Sequence, residues 1–205
     1  MIYRYFFSIR CPLVVLLCVA FASHGLAQGT ASAPAAASAN PAWAALQKPG
    51  SIVLLRHALA PGVGDPPGFV LGDCSTQRNL NDEGREQARR IGQTLAQRGV
   101  RAHAVWHSQW CRTAETAQLL GLAYSATPRT PQPSFNSFFG TSGVEPAQTA
   151  AARKLLLDWQ GPGTLVVVTH QVNITALTGV VPQSGEGVVL LREGGKLVVK
   201  GAVLP

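Results

Sequence analysis

Short apolar runs recur along the chain and are separated by stretches of helical periodicity. The run at 51–55 holds four consecutive apolar residues and predicts a buried strand, and similar runs predict strands at 102–106 and 164–169. Two further runs, VVLLR and KLVVK, predict closing strands near the end of the chain. The first strand ends in Arg56 and His57, where ordinary turn residues are expected.

The longest helical pattern follows Asn81, which is placed as an N-cap ahead of two acidic residues. Its buried face has helical spacing and comprises Ala88, Ile91 and Leu95, and Gly99 is placed to end it. Other helices are predicted after 106, at 145–159 and at 173–178. This alternation indicates an α/β fold of three layers, with a mostly parallel central sheet and helices on both faces.

The first 27 residues predict a secretory signal peptide. Two arginines precede an apolar run at 11–23, and Gly25 and Ala27 supply small residues for cleavage after Ala27. The alternative is an uncleaved membrane anchor, but the apolar run is shorter than the roughly 20 residues that a spanning helix needs. We therefore expect a periplasmic or secreted protein with no stable membrane insertion after cleavage.

The segment at 28–45 is rich in Ala, Ser and Pro and has no charged residue. Such a composition buries too little apolar surface to offset its chain entropy, so it predicts a flexible linker. The folded domain is then expected at 46–205.

The charge balance argues for a small anionic ligand. The whole chain has 17 Lys and Arg against 10 Asp and Glu; the signal carries two of the basic residues and no acidic one, which leaves 15 against 10. No run of Lys and Arg interleaved with aromatic residues occurs, so nucleic acid is not the expected partner. A phosphorylated small molecule or glycan suits this modest excess, although the excess also serves solubility.

Two cysteines, Cys74 and Cys111, remain after the signal is removed. A pair in an exported protein suggests one disulfide, although two separate buried thiols are the open alternative. Neither a CxxC motif nor Cys/His ligand spacing is present, so we expect no structural metal.

Four cationic or imidazole side chains are expected to meet at one edge of the sheet. Arg56 and His57 follow the first strand, Arg112 follows the second, and His170 follows the strand at 164–169. Ligands of open α/β sheets bind outside the carboxyl ends of the strands. Buried cations gathered there need an anion, and a phosphoryl group matches guanidinium forks.

At these residues the sequence resembles the histidine phosphatase, or phosphoglycerate mutase-like, superfamily. The matching segments are LLRHA, RNLNDEGREQARRIG, HSQWCRTAETA and VVVTHQ, in the family's order. The resemblance implies that His57 attacks phosphorus and becomes a phosphohistidine, that Arg56 and Arg112 clamp the phosphoryl oxygens, and that His170 completes the pocket. It implies no cofactor and no metal.

The family's general acid is missing from its usual place. Asn136 stands about where the family carries a glutamate, and Gln171 follows His170 where another branch has an aspartate. Glu145, Asp65 and Asp73 are candidates to replace it, although each also suits an ordinary solvated or capping role. Alternatively, a phosphoramidate or phosphoanhydride substrate has a leaving group that needs no acid.

These features predict an exported phosphatase that hydrolyses a phosphomonoester or related phosphoryl group. A phosphorylated cell-envelope sugar is the substrate class suggested by analogy with exported relatives. The alternative is a phosphate- or phosphoglycan-binding protein that kept the clamp and lost turnover with the acid.

Overall fold

The computed structural model describes residues 40–122 and 129–203. The predicted signal peptide and most of the predicted linker lie outside these ranges. No helix within them is both long enough and apolar enough to cross a membrane.

A six-stranded sheet forms the centre of the fold, in the order β3-β2-β4-β1-β5-β6. The strands are β1 (Ile52–Arg56), β2 (Ala102–His107), β3 (Arg129–Pro131), β4 (Thr164–Thr169), β5 (Gly187–Glu193) and β6 (Lys196–Val203). β1, β2, β3 and β4 are parallel, whereas β5 and β6 join the edge beside β1 in antiparallel pairings. The prediction of a mostly parallel sheet is therefore confirmed.

Among the described residues, five α-helices cover the sheet on both sides. They are α1 (Pro41–Leu46), α2 (Asp82–Gln97), α3 (Cys111–Leu119), α4 (Glu145–Asp158) and α5 (Gln171–Thr178). One apolar cluster joins α1, α2 and α3 to one face of the sheet, and a second joins α4 and α5 to the other. Alternate residues of β1 enter the two clusters, Val53 and Leu55 on one side and Ile52 and Leu54 on the other, which explains why this strand is apolar throughout.

α1 corrects the predicted linker at 28–45. Asn40 caps the helix by accepting a hydrogen bond from the Ala42 amide, and Pro41 stands at its first position. Ala42 and Ala45 are buried against the sheet, and Leu46 is buried beside them. A short alanine-rich helix lacks a wide apolar stripe, so its sequence resembles that of a linker although its small side chains pack closely.

The predicted start and face of α2 are confirmed. Asn81 accepts a hydrogen bond from the Gly84 amide, and Ala88, Ile91 and Leu95 are buried. Gly99 has the positive φ (72°) of a residue that ends a helix.

Two glycines let α2 approach its neighbours closely. A Cβ on Gly84 would lie 2.0 Å from the Leu59 carbonyl oxygen, and one on Gly92 would lie 1.7 Å from that of Leu120. Gln87, one turn after Gly84, accepts a hydrogen bond from the Leu59 amide and donates one to the Ser184 carbonyl. Gly84 and Gln87 thus hold the backbone just after His57 against α2.

We expect Gly84→Ala and Gly92→Ala each to lower the free energy of unfolding by about 1–3 kcal/mol, because the added methyl group meets backbone. In a helix with free space, the same change would stabilise by up to about 1 kcal/mol. Urea unfolding checks both values. Only Gly84→Ala should also reduce activity, since only it displaces the segment beside His57, and equal losses of activity in the two variants would contradict this role.

Candidate active site

Three strand ends bring the predicted site together. β1 and β4 pair in register, and the amide of His57 donates to the Thr169 carbonyl at 3.0 Å. The amide of Ser108, just after β2, donates to the Val168 carbonyl at 3.1 Å. His57, Ser108 and His170 therefore lie side by side at the carboxyl edge of the sheet.

His57 is buried and neutral. Its Nδ1 lies 2.7 Å from the Ala58 carbonyl oxygen, which can only accept, so Nδ1 carries the proton and Nε2 keeps a lone pair. Burial lowers the pKa of His57 from 6.5 to about 3; the bond to Ala58 opposes this shift, and the positive charge of Arg112 adds to it. A neutral imidazole whose Nε2 carries no proton is the form that can attack phosphorus.

His170 precedes α5 and is also buried. Its Nε2 lies 2.7 Å from the Ser108 hydroxyl, while its Nδ1 lies 3.5 Å from Arg112 Nη2 on the pocket side. Burial, together with the positive charges of the pocket arginines, Arg112 first, holds the pKa of His170 well below its ordinary value. This imidazole is held by Ser108 with one nitrogen directed to the pocket.

Arg112, at the start of α3, joins the parts of the site. Its side chain is 3% exposed. Nε donates to His57 Nε2 at 3.3 Å, Nη2 reaches His170, and Nη1 donates to the Asp65 carboxylate at 2.7 Å. One guanidinium group thus contacts both imidazoles and a carboxylate.

The Ser-x-x-x-Arg-Thr-x-x-Thr motif has a structural explanation at each position. Thr113 Oγ1 lies 2.7 Å from the Ser108 hydroxyl that holds His170. Thr116 Oγ1 accepts from the Ala58 amide at 3.1 Å and donates to the Arg112 carbonyl at 2.7 Å. The two threonines therefore fix the backbone and the partners of both histidines relative to α3.

Two more guanidinium groups reach the pocket. Arg56 donates from Nη1 to the Pro182 carbonyl at 2.9 Å, and its buried Nε has no hydrogen-bond partner. Arg78 donates from Nε to the Gly64 carbonyl at 2.7 Å and from Nη1 to the Ala60 carbonyl. Burial, with a contribution from the charge of Arg112, lowers the pKa of both groups. Both remain cations at neutral pH.

The sequence analysis missed Arg78 as a pocket residue. It stands at the start of the segment RNLNDEG, in which the capping asparagine indicates the start of a helix and not a binding site. One feature of the sequence could have indicated its role. Arg78 is a cation three residues before a helix cap, in a chain with two other arginines assigned to a phosphate clamp.

A disulfide fastens the long loop before α2 to the first turn of α3. Cys74 and Cys111 are bonded, with their Cα atoms 5.7 Å apart. Beside them, the Cys111 amide donates to Gln77 Oε1 at 2.9 Å. Because Arg112 follows Cys111, these links connect the loop that carries Asp65 and Arg78 to the helix that carries Arg112.

Of the three acids considered from the sequence, the structure places only Asp65 in the pocket. Asp73 is exposed and caps a short 3-10 helix by accepting hydrogen bonds from the amide and hydroxyl of Ser75. Glu145 lies in the first turn of α4 and accepts from the Thr149 hydroxyl at 3.2 Å. Asp73 is a local cap, Glu145 bonds to a side chain of its own helix, and neither lines the pocket.

Asn136, at the position where the family carries its acid, is a structural residue. Its Oδ1 accepts from the Gln109 amide at 2.8 Å, and its Nδ2 donates to Gln109 Oε1 at 2.8 Å. Its carbonyl accepts from the side-chain amides of Asn173 and Gln148. Every polar atom of the Asn136 side chain is thus engaged in linking loops.

Around these side chains lies a cavity of about 170 Å³. Drug-sized ligands occupy sites of about 300–1,000 Å³, so this cavity has room for a group of the size of a phosphoryl group and too little for a whole drug-sized ligand. Val63 and Phe139 line the mouth and are 85% and 59% exposed, and Gln171 also lines the cavity. In the described part of the chain, no group of three or more His, Cys, Asp or Glu could hold a metal ion.

The fold is shared with solved structures of low sequence identity. They include Bacillus stearothermophilus YhfR (16% identity, TM-score 0.56, covering 74% of this chain and 95% of that one). Phosphoglycerate mutase from Bacillus anthracis str. Sterne has 14% identity and a TM-score of 0.54, covering 77% and 94%. The protein histidine phosphatase SixA, complexed with tungstate, has 14% identity and a TM-score of 0.50, covering 76% and 97%. At such identities the likeness concerns the fold.

No curated protein matches the sequence. The family model described as histidine phosphatase superfamily (branch 1) matches residues 52–138. That stretch contains Arg56, His57 and Arg112, which meet His170 in the pocket. The motifs, the fold and the family model agree, and over residues 52–138 the chain is similar to the histidine phosphatase superfamily.

Proposed function

We propose that this protein hydrolyses phosphomonoester dianions through a phosphohistidine formed on His57. The observation that carries the proposal is the charge of the pocket. Arg56, Arg78 and Arg112 supply three positive charges, Asp65 supplies one negative charge, and both imidazoles are neutral, which leaves two positive charges. A phosphomonoester dianion balances that excess, whereas a diester brings one negative charge and leaves a buried cation unpaired.

The geometry supports an in-line displacement. His57 Nε2 offers its lone pair to phosphorus while the arginines bind the phosphoryl oxygens, and the P–O bond to the leaving group breaks as the P–N bond forms. His170, held by Ser108, accepts from Arg112 Nη2 through its pocket-side nitrogen and so helps to orient the guanidinium group that binds these oxygens. Water then attacks the phosphohistidine, releases phosphate and restores the lone pair of His57.

We also propose that the enzyme acts outside the cytoplasm, on a phosphorylated cell-envelope sugar. The signal-like segment at 1–27 supports export, and the Cys74–Cys111 bond suits an oxidising compartment. The pocket admits a phosphoryl group and leaves the remainder of the substrate outside, which suits a phosphate carried on a larger glycan.

The test is release of inorganic phosphate by the purified protein from an aryl phosphate monoester, a hexose phosphate and an aryl phosphate diester. We expect turnover of at least one monoester, and a kcat/KM for the diester lower than that for the aryl monoester by about 100-fold or more, because an unpaired buried cation costs several kcal/mol. Equal hydrolysis of the diester would contradict the charge argument. Phosphate binding without turnover of any ester would support the alternative, a phosphate-binding protein. The observation behind that alternative is Asn136, an amide at the position where the family carries its acid.

A further inference from the structure

Among the residues the structure describes, Asp65 is the one carboxylate that lines the pocket. Its side chain is 16% exposed. Oδ1 accepts from Arg112 Nη1 at 2.7 Å and from the Arg78 amide at 3.2 Å. Oδ2 accepts from Trp110 Nε1 at 2.9 Å and from Arg112 Nη2 at 3.3 Å. The carboxylate therefore faces the terminal nitrogens of Arg112 as a phosphoryl group would.

A phosphoryl group and Asp65 compete for Arg112. Both are anions that match the guanidinium fork, and both terminal nitrogens of Arg112 are already engaged by the carboxylate. A substrate that reaches His57 must bind next to this fork, since Arg112 Nε lies 3.3 Å from His57 Nε2. Binding of the phosphoryl group therefore displaces Asp65 from its main counterion.

We propose that Asp65 first occupies Arg112 as an internal substitute for phosphate and then, once the phosphoryl group has displaced it, serves as the general acid of the reaction. This inference rests on the proposed function. It names the residue that supplies the proton in a chain that carries Asn136 at the family's position for the acid.

Displacement from Arg112 favours the protonated form of Asp65, which is the form that a general acid needs. Burial alone would raise the pKa of Asp65, but hydrogen bonds from Arg112 and Trp110 and the charge of Arg112 outweigh it, so the pKa lies below its ordinary value and the free enzyme holds a carboxylate. A bound dianion neutralises Arg112 and adds a like charge next to Asp65. Both effects favour the protonated carboxyl group.

The displaced side chain stays in the pocket. The donors from Trp110 Nε1 and the Arg78 amide do not depend on Arg112, so they keep the carboxyl group at the pocket wall. The charged groups that face Asp65 are Arg112 from α3 and Arg78 from the loop, and Arg56 and the two imidazoles line the same pocket.

The proton balance closes over the two steps. In the first, the His57 lone pair forms the P–N bond, the P–O bond breaks, and the leaving oxygen takes the proton of the Asp65 carboxyl group to become an alcohol. In the second, the Asp65 carboxylate takes a proton from water as the water oxygen attacks phosphorus and the P–N bond breaks. Asp65 then loses that proton to solvent and returns to Arg112 as phosphate leaves.

The test is Asp65→Asn, with Asp73→Asn as the matched control at an exposed capping aspartate. The readouts are kcat/KM for an activated aryl phosphate and an alkyl phosphate, and the affinity for inorganic phosphate by titration calorimetry. We expect Asp65→Asn to lower kcat/KM on the alkyl ester by about 10²–10⁴-fold. The aryl ester should lose less than about 10-fold, because its leaving group needs no proton, and phosphate should bind more tightly since its internal competitor is gone.

Equal losses on the two esters, or weaker phosphate binding in the variant, would overturn the assignment. The wild type provides a readout that does not depend on the folding of a variant: kcat on the alkyl ester should fall as pH rises and Asp65 loses its proton in the complex, while kcat on the aryl ester stays level. Identical pH profiles for the two esters would also overturn it. If the wild type hydrolyses neither ester, the proposed function fails first, and phosphate affinity alone then decides whether Asp65 competes for Arg112.

Discussion

Replacing His57 with alanine is expected to lower kcat by at least about 10⁴-fold, because the variant lacks the nitrogen that is proposed to form the bond to phosphorus. The imidazole is buried with Nε2 unprotonated, so no activation by a second base is needed. The arginines remain in the variant, and phosphate affinity should change much less than turnover.

The measurement is trapping of the phosphoenzyme. Wild type mixed briefly with labelled substrate and quenched in denaturant should carry phosphate that is stable in alkali and lost in acid, as a phosphorus–nitrogen bond requires. His57→Ala should carry none. His103→Ala, a change of the same kind at an exposed position on β2, should be labelled like the wild type. Label that persists in His57→Ala would place the nucleophile elsewhere.

Arg112→Lys should lower kcat/KM by about 10²–10³-fold although the charge is kept. The guanidinium group contacts His57, His170 and Asp65 at once, with Nε and two terminal nitrogens held in one plane. A lysine ammonium is a point charge on a flexible stem and cannot make these three contacts together. Loss of one preorganised donor in other sites costs about 2.7–4 kcal/mol.

Steady-state kinetics on an aryl phosphate checks this value, with Arg89→Lys as the control. Arg89 is an exposed residue of α2 that contacts Glu86 within the same helix, so its replacement should leave kcat/KM unchanged. A loss below about threefold in Arg112→Lys would mean that charge alone suffices and that the fork geometry is unimportant.

The elements that the sequence predicted well are those with a periodic burial pattern. β1 and β4 lack polar residues in their centres because helices cover both faces of the sheet, and α2 combines a capping asparagine with a regular buried face. The carboxyl-edge rule for α/β sheets then located Arg56, His57, Arg112 and His170 together, since it needs only the strand ends.

The contributions of the long loop before α2 could not be predicted in this way. Asp65 and Arg78 are separated by irregular backbone, and they meet Arg112 because a disulfide and Gln77 attach the loop to α3. No periodicity encodes such a contact. The sequence therefore ranked Asp65 equally with Glu145 and Asp73, although the hydrogen bonds described for these two residues are local and neither lines the pocket.

Because of the Cys74–Cys111 bond, the kinetic properties of this protein should depend on whether the buffer contains a thiol reductant. The bond closes a loop with a sequence separation of 37, and cross-links of that span stabilise by about 4 kcal/mol in the chain-entropy model. The closed loop contains Arg78 of the pocket, and Asp65 lies in the same irregular segment just before Cys74, while β1 and β4, which precede the two histidines, lie outside the loop. A thiol reductant, added routinely to protect cysteines, would thus loosen the attachment of Asp65 and Arg78 to α3, and preparations with and without the reductant should differ in substrate affinity.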